Sequence, residues 1–303
     1  MLHWRLILGT LIIAALGGLC RLDHTAWLPG TWLMPLAVVL AILSAAELSQ
    51  LMEAGGTPPM AWIVYCGNVL IVLSNWIPVI LVKWNFWESS GDGRLSWQQS
   101  MALTAWPLAA LTICTLALFI NEMCLFQKPG RAIANMASSV FSLIYVGLLF
   151  SFLVQLRFAC GVGALLSLII VVKMGDTGAY LVGRLMGRHK MTPVLSPGKT
   201  IEGAVGAILF ACLGAWLCWR FLLPSMNIAG ITSGPYWSWI PFGIFVGIAG
   251  IFGDLAESLI KRDVGSKDSS TWLPGFGGVL DILDSLLFAA PVGWVFWILG
   301  SAG

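Results

Sequence analysis

Charge is what this chain has least of. Of its 303 residues only 10% are Asp, Glu, Lys or Arg, against 58% hydrophobic, and the mean hydropathy is +0.89. A soluble domain of this size needs a polar surface, and this composition excludes one. The net charge of +2 excludes the basic surface that binding nucleic acid requires. The seven cysteines are scattered with no CxxC pair, which argues against both zinc and a disulfide framework. The apolar stretch 6–20 lacks an A-x-A cleavage site and runs straight into Arg21. It is therefore read as a span and not as a signal peptide. No internal repeat is evident, which weighs against an inverted-repeat transporter.

Long uncharged runs are what the chain does have, among them 60–82 and 132–156. A membrane span needs about 20 apolar residues. Nine helices are predicted, at about 6–20, 31–49, 60–82, 101–120, 132–156, 159–181, 201–223, 238–260 and 281–300. The expected fold is an all-α polytopic membrane protein of about nine transmembrane helices. Residues 1–170 would form N-terminal helices and 171–303 a C-terminal catalytic region of the same membrane unit. Sixteen Trp suit interfacial belts. With nine spans, ten Lys and Arg fall on one side and five on the other. The positive-inside rule then puts the N-terminus and the loops 183–200 and 261–280 in the cytoplasm and the C-terminus outside an inner membrane.

The scarce charges are gathered. Residues 258–291 carry Lys261, Arg262, Asp263, Lys267, Asp268, Asp281 and Asp284, where roughly three or four charges would match the chain average. Just upstream, Asp254, Glu257, Ser258 and Lys261 fall at offsets that make one helical stripe. A carboxylate that deep needs a partner: a Lys261 pair with Asp254 or Glu257, or a metal ion. Earlier, "VVKMGDTGAYLVGRLMGRHKMTPVLSPGKTIEG" (171–203) places Lys173 and Asp176 on one helix face, where a mutual ion pair is the plainest reading. "SPGKTIEG" looks like a helix start, with Ser196 as N-cap and Pro197 at the first helical position. Such a start offers N–H groups to a phosphate, to which Lys199 and Thr200 add a charge and a hydroxyl. It is not a Walker A loop, because Pro193 stands where glycine is needed and no strand is expected before it. In "LPGFGGVLDILDS" a Gly-rich turn leads into the last helix, with Asp281 and Asp284 on one face near its start. Helix capping accounts for one of these acids more readily than for two. Acids without His or Cys beside them suit Mg²⁺, and the adjacent Lys and Arg suit phosphoryl chemistry. On charge alone a secondary transporter of an anionic solute stays open.

The stretch "SLIKRDVGSKDSSTWLPGFGGVLDILDS" resembles the signature of the phosphatidate cytidylyltransferase (CDP-diacylglycerol synthase) family, roughly S-x-x-K-R-x4-K-D-x3-x-[LI]-P-G-H-G-G-x-x-D-R-x-D. The matching residues are Ser258, Lys261, Arg262, Lys267, Asp268, Pro274, Gly275, Gly277, Gly278, Asp281 and Asp284. "GD..AY..G...G", "SPGKTIEG" and "AELSQLMEAGGTPP" (46–59), the last following E-x-x-x-L-x-x-x-x-G-x-x-P, are similar to further family blocks. Phe276 and Ile282 depart from it, where His and Arg are usual. The resemblance implies a membrane nucleotidyltransferase that turns CTP and phosphatidate into CDP-diacylglycerol and pyrophosphate. Asp254 and Asp281 would hold Mg²⁺, with Lys261, Arg262 and Lys267 acting on the phosphates. Asp176, Lys199, Thr200, Ser258, Asp268, Gly277, Gly278 and Asp284 would contact the substrates. A related transferase on another lipid phosphate is the nearer alternative, and a homodimer is left open.

Overall fold

A computed structural model describes residues 2–84, 103–127, 130–226, 237–266, 269–270 and 277–301. Long apolar runs become helices because lipid offers no partners to a bare backbone. Among the described residues, eight helices are long and apolar enough to cross a membrane. They are α2 (Leu33–Ala54), α3 (Ala61–Lys83), α4 (Ala105–Leu125), α5 (Ala132–Cys160), α6 (Val162–Met186), α7 (Ile201–Ser225), α8 (Trp239–Asp263) and α9 (Leu280–Ser301). Each falls on a predicted segment. The first predicted span, 6–20, lies inside α1 (Leu2–His24), which is not one of the eight, so the expected count of nine is not reproduced. All seven cysteines are free.

The segment 188–203 departs from expectation. Strands β1 (Lys190–Thr192) and β2 (Ser196–Thr200) form an antiparallel hairpin. The helix predicted to begin at Ser196 and Pro197 starts instead at Ile201. Thr200 is extended (φ −122°, ψ 156°), and its Oγ1 accepts the Gly203 N–H at 3.1 Å, so it is the N-cap. Pro197 has no N–H to give, which a two-stranded hairpin tolerates as readily as a helix start does. Glu202 turns back to accept the backbone N–H groups of Arg188 and His189, and meets His189 Nδ1 at 2.6 Å. That contact closes the hairpin against α7.

Helices α6 and α7 meet through small residues. A Cβ at Gly178 would stand 2.5 Å from the Gly206 carbonyl oxygen, and one at Gly206 would stand 2.5 Å from Val182 Cβ. Close backbone approach of this kind supplies dispersion where lipid removes the hydrophobic incentive to associate. Helix α8 packs on α7 and α9, and α9 on α5. The main core runs from Cys20 to Trp297 and joins both halves of the chain.

A buried ion pair locks the N-terminal end. Asp23, 0% exposed, takes Arg157 Nε at 2.7 Å and the N–H groups of Gly30, Trp32 and Leu33. Arg157 Nη2 also donates to the Asp23 carbonyl. One carboxylate thus ties α1, the turn into α2, and α5. Removing one member of a buried pair strands the other charge, at a cost of about 3–5 kcal/mol. Arg157→Met is expected to lower the thermal midpoint of the detergent-solubilised protein clearly. The Asp23→Asn/Arg157→Met double variant should recover part of that loss.

Candidate functional site

The site forms where the hairpin β1–β2 meets the C-terminal ends of α6 and α8 and the N-terminal ends of α7 and α9. On α8, Asp254, Glu257 and Lys261 follow helical spacing, so all three face the neighbouring helices. Lys261 Nζ stands between two acids, 2.7 Å from Glu257 Oε2 and 2.5 Å from Asp281 Oδ1. Of the pairs weighed from the sequence, the Glu257–Lys261 pair forms. Asp254 instead meets Lys199 Nζ of β2 at 2.8 Å. In α6 the expected Lys173–Asp176 pair closes at 2.9 Å, and Lys173 Nζ also donates to the Ile282 carbonyl of α9 at 3.0 Å. The intramembrane acids are thus paired across helices as well as along them. Asp284 has no lysine or arginine at ion-pair distance among the described residues, and its Oδ1 accepts the Ser285 N–H.

The turn before α9 is shaped around Asp281. Gly277 has φ +85°, the left-handed region that glycine enters without penalty, and a Cβ there would collide with Asp281 Oδ2. Asp281 Oδ2 accepts the Gly278 N–H at 2.6 Å, the Ser269 N–H at 3.2 Å, and lies 2.7 Å from Ser269 Oγ. Of the two acids for one of which capping was the plainer reading, Asp281 is the one that bonds back to the backbone of the turn before the helix, and its other oxygen faces Lys261.

A cavity of about 490 Å³ opens over these groups. Among the residues proposed from the sequence, Asp176, Lys199, Thr200, Asp254, Asp281 and Asp284 line it. Much of the remaining wall is apolar, with Val172, Ala207, Val246 and Ile251 among its residues. Lys261 reaches the site from behind Asp281, and Gly277 and Gly278 act through the turn. Arg262 points away: its Nε donates to the Leu195 carbonyl at 3.4 Å and its Nη1 to Ser266 O at 3.0 Å. Ser258 is half-buried and does not line the cavity. Lys267, Asp268, Pro274, Gly275 and Phe276 lie outside the described residues.

Three residues of the site escaped the sequence reading. Arg184 and Tyr180 line the cavity, with Arg184 Nη1 donating to the Tyr180 hydroxyl at 2.6 Å. Glu47 of α2 is 6% exposed and accepts the N–H groups of Val279 and Leu280 at 2.9 and 2.8 Å. Its signal in the sequence was its place as the leading acid of the block E-x-x-x-L-x-x-x-x-G-x-x-P, within an apolar run.

Among the described residues no group of three or more His, Cys, Asp or Glu converges to hold a metal. Asp254 and Asp281 nevertheless line one cavity with oxygen donors alone. That donor set fits Mg²⁺, which takes one or two carboxylates and completes its shell with water and phosphate oxygens.

Residues 9–299 match the model of the Cytidylyltransferase family. A phosphatidate cytidylyltransferase of Staphylococcus haemolyticus is 32% identical over 263 residues, covering 87% of this chain and 88% of that protein. Its counterpart in Staphylococcus aureus (strain COL) is 29% identical over 269 residues, with the same coverage of 87% and 88%. That of Staphylococcus saprophyticus is 35% identical over 181 residues, 60% of this chain and 66% of the relative.

Proposed function

The chain belongs to the cytidylyltransferase family, and from that premise we propose that it makes CDP-diacylglycerol from CTP and phosphatidate. One observation carries the reading beyond family membership. A single cavity brings Lys199, Asp254, Asp281 and Asp284 against a largely apolar wall built from membrane-spanning helices. A lipid phosphate and a nucleotide need such a junction, since one reactant is held by the bilayer and the other comes from water.

In the proposed reaction a phosphate oxygen of phosphatidate attacks the α-phosphorus of CTP. The new P–O bond forms as the bond to the β-phosphate oxygen breaks, and pyrophosphate leaves with that electron pair. A phosphate monoester has a second pKa of about 6, so the attacking oxygen is ionised at neutral pH and needs no general base. The absence of His at position 276 is compatible with this chemistry. The chain's own part is placement and charge stabilisation. Lys199 and Arg184 are the cations lining the cavity, and Lys261 fixes the direction of Asp281. Asp254 and Asp281 are the residues that would hold Mg²⁺. Bound there, Mg²⁺ would offset the negative charge gathered on the phosphoryl groups.

Purified protein given phosphatidate and labelled CTP should yield labelled CDP-diacylglycerol with Mg²⁺ and none with EDTA. Lack of product, or product formed without phosphatidate, would overturn the reading.

Asp254→Asn and Asp281→Asn are each expected to lower kcat by about a hundredfold or more while the protein stays folded in detergent. Near-normal turnover by both would remove them from the mechanism.

Orientation belongs to the same proposal: the loops 183–200 and 261–280 face the cytoplasm. The Arg262–Leu195 and Asp254–Lys199 contacts support a shared side for both. Val194, 95% exposed at the hairpin tip, is the reporter. In a background freed of native cysteines, Val194→Cys should resist an impermeant thiol reagent in intact cells and react after permeabilisation. Labelling of sealed cells would reverse the orientation.

A further inference from the structure

The first turn of α9 presents N–H groups that need acceptors, yet the two residues before Val279 are glycines with no side chain to supply one. The acceptor comes from Glu47, more than two hundred residues earlier. Its Oε1 takes the Val279 N–H at 2.9 Å and the Ser270 hydroxyl at 2.8 Å. Its Oε2 takes the Leu280 N–H at 2.8 Å and lies 3.1 Å from Ser269 Oγ. A carboxylate has about four lone-pair sites; three take a hydrogen here, and the fourth faces Ser269 Oγ, whose single hydrogen is shared with Asp281 Oδ2. No Lys or Arg lies at ion-pair distance from Glu47 among the described residues, so these donors carry its charge. The groups it holds are also those that hold Asp281. Ser269 touches Asp281 through both N–H and Oγ, and Gly278, whose N–H binds Asp281, is pressed against Glu47 so closely that a Cβ would collide with it.

We propose that Glu47 is a positioning residue for the transferase site, a clamp that fixes the turn before α9 and so the direction of the Asp281 carboxylate. The catalytic part of this inference rests on the function proposed above; the clamp itself does not. Each oxygen of Glu47 accepts a backbone N–H, so a glutamine has no orientation that avoids turning its NH₂ group towards an N–H donor. Glu47→Gln therefore loosens the turn without changing size.

The experiment uses the full-length protein in detergent and compares wild type, Glu47→Gln, Ser270→Ala and Asp281→Asn. Hydrogen exchange should quicken in the peptide over 277–284 of Glu47→Gln, with exchange in α6 and α7 unchanged. Its kcat should fall by about tenfold or more, the size expected when a group supporting a ligand residue is lost. The KM for CTP should move by less than about threefold, since the interaction lost acts on the reacting centre and not on general nucleotide binding. The Glu47→Gln/Asp281→Asn double variant should be no slower than Asp281→Asn alone. Unchanged exchange over 277–284, or quickened exchange with wild-type kcat, overturns the proposal. If Glu47→Gln does not fold, Ser270→Ala decides in its place: it removes one donor from the clamp without touching Asp281, and should shift exchange and kcat in the same direction to a smaller degree. In a protein that makes no CDP-diacylglycerol the substrate reading falls, while the exchange comparison still upholds or overturns the clamp.

Discussion

Lys261 is the point on which the arrangement turns. It stands between Glu257, 1% exposed, and Asp281, and it is the only described cation that bridges α8 to α9. Carboxylates set this deep would each cost several kcal/mol if left alone. The fold meets that cost by pairing along and between elements: Lys261 with Glu257 on its own helix and with Asp281 of α9, Lys199 of β2 with Asp254, and Lys173 with Asp176 on α6. Each lysine arrives from a different element. The packing of α8 on α9 and of the hairpin on α8 is therefore tied to the order of the charges, since the Lys261–Asp281 and Lys199–Asp254 pairs hold only while those elements stay together.

Pairing also explains why the site can be both stable and receptive. The lysines hold the acids in place while the cavity is open, yet they are the charges a triphosphate would seek. Asp284 is the exception, held by a backbone N–H of its own turn. The negative groups then exceed the lysines that face them, which leaves room for a further positive charge beside an anionic substrate.

The helices were legible because hydropathy needs only composition within a window, and a span is a local property. The Lys173–Asp176 pair was legible for the same reason, being three residues apart on one helix. The Lys199–Asp254 pair was not, because nothing in either segment says that the hairpin lies over α8. The start of α7 was misread for a definable cause. Ser196 and Pro197 satisfy the rules for a helix N-terminus, but Thr200 satisfies the capping rule too, and Ile201 opens the apolar run. Glu47 was hidden more deeply: its partners, two backbone N–H groups and the hydroxyls of Ser269 and Ser270, lie more than two hundred residues along the chain. Its traces were a charge inside "LSAAELSQL", where a span should have none, and its place at the head of the block 46–59, and neither names a partner.

The glycine contact between α6 and α7 has an evolutionary side. At Gly178 and Gly206 the backbones touch, so a single substitution there cannot be answered by a neighbour's rotamer; a helix would have to move, and Asp176 and Thr200 would move with it. On the other side of α7, Val205, Leu209 and Leu213, spaced four apart, face outward and are free to drift among apolar residues of any shape. Descent can therefore rewrite the lipid-facing side of this helix pair while its inner seam stays fixed, and variation along α6 and α7 should alternate between frozen and free with the period of the helix.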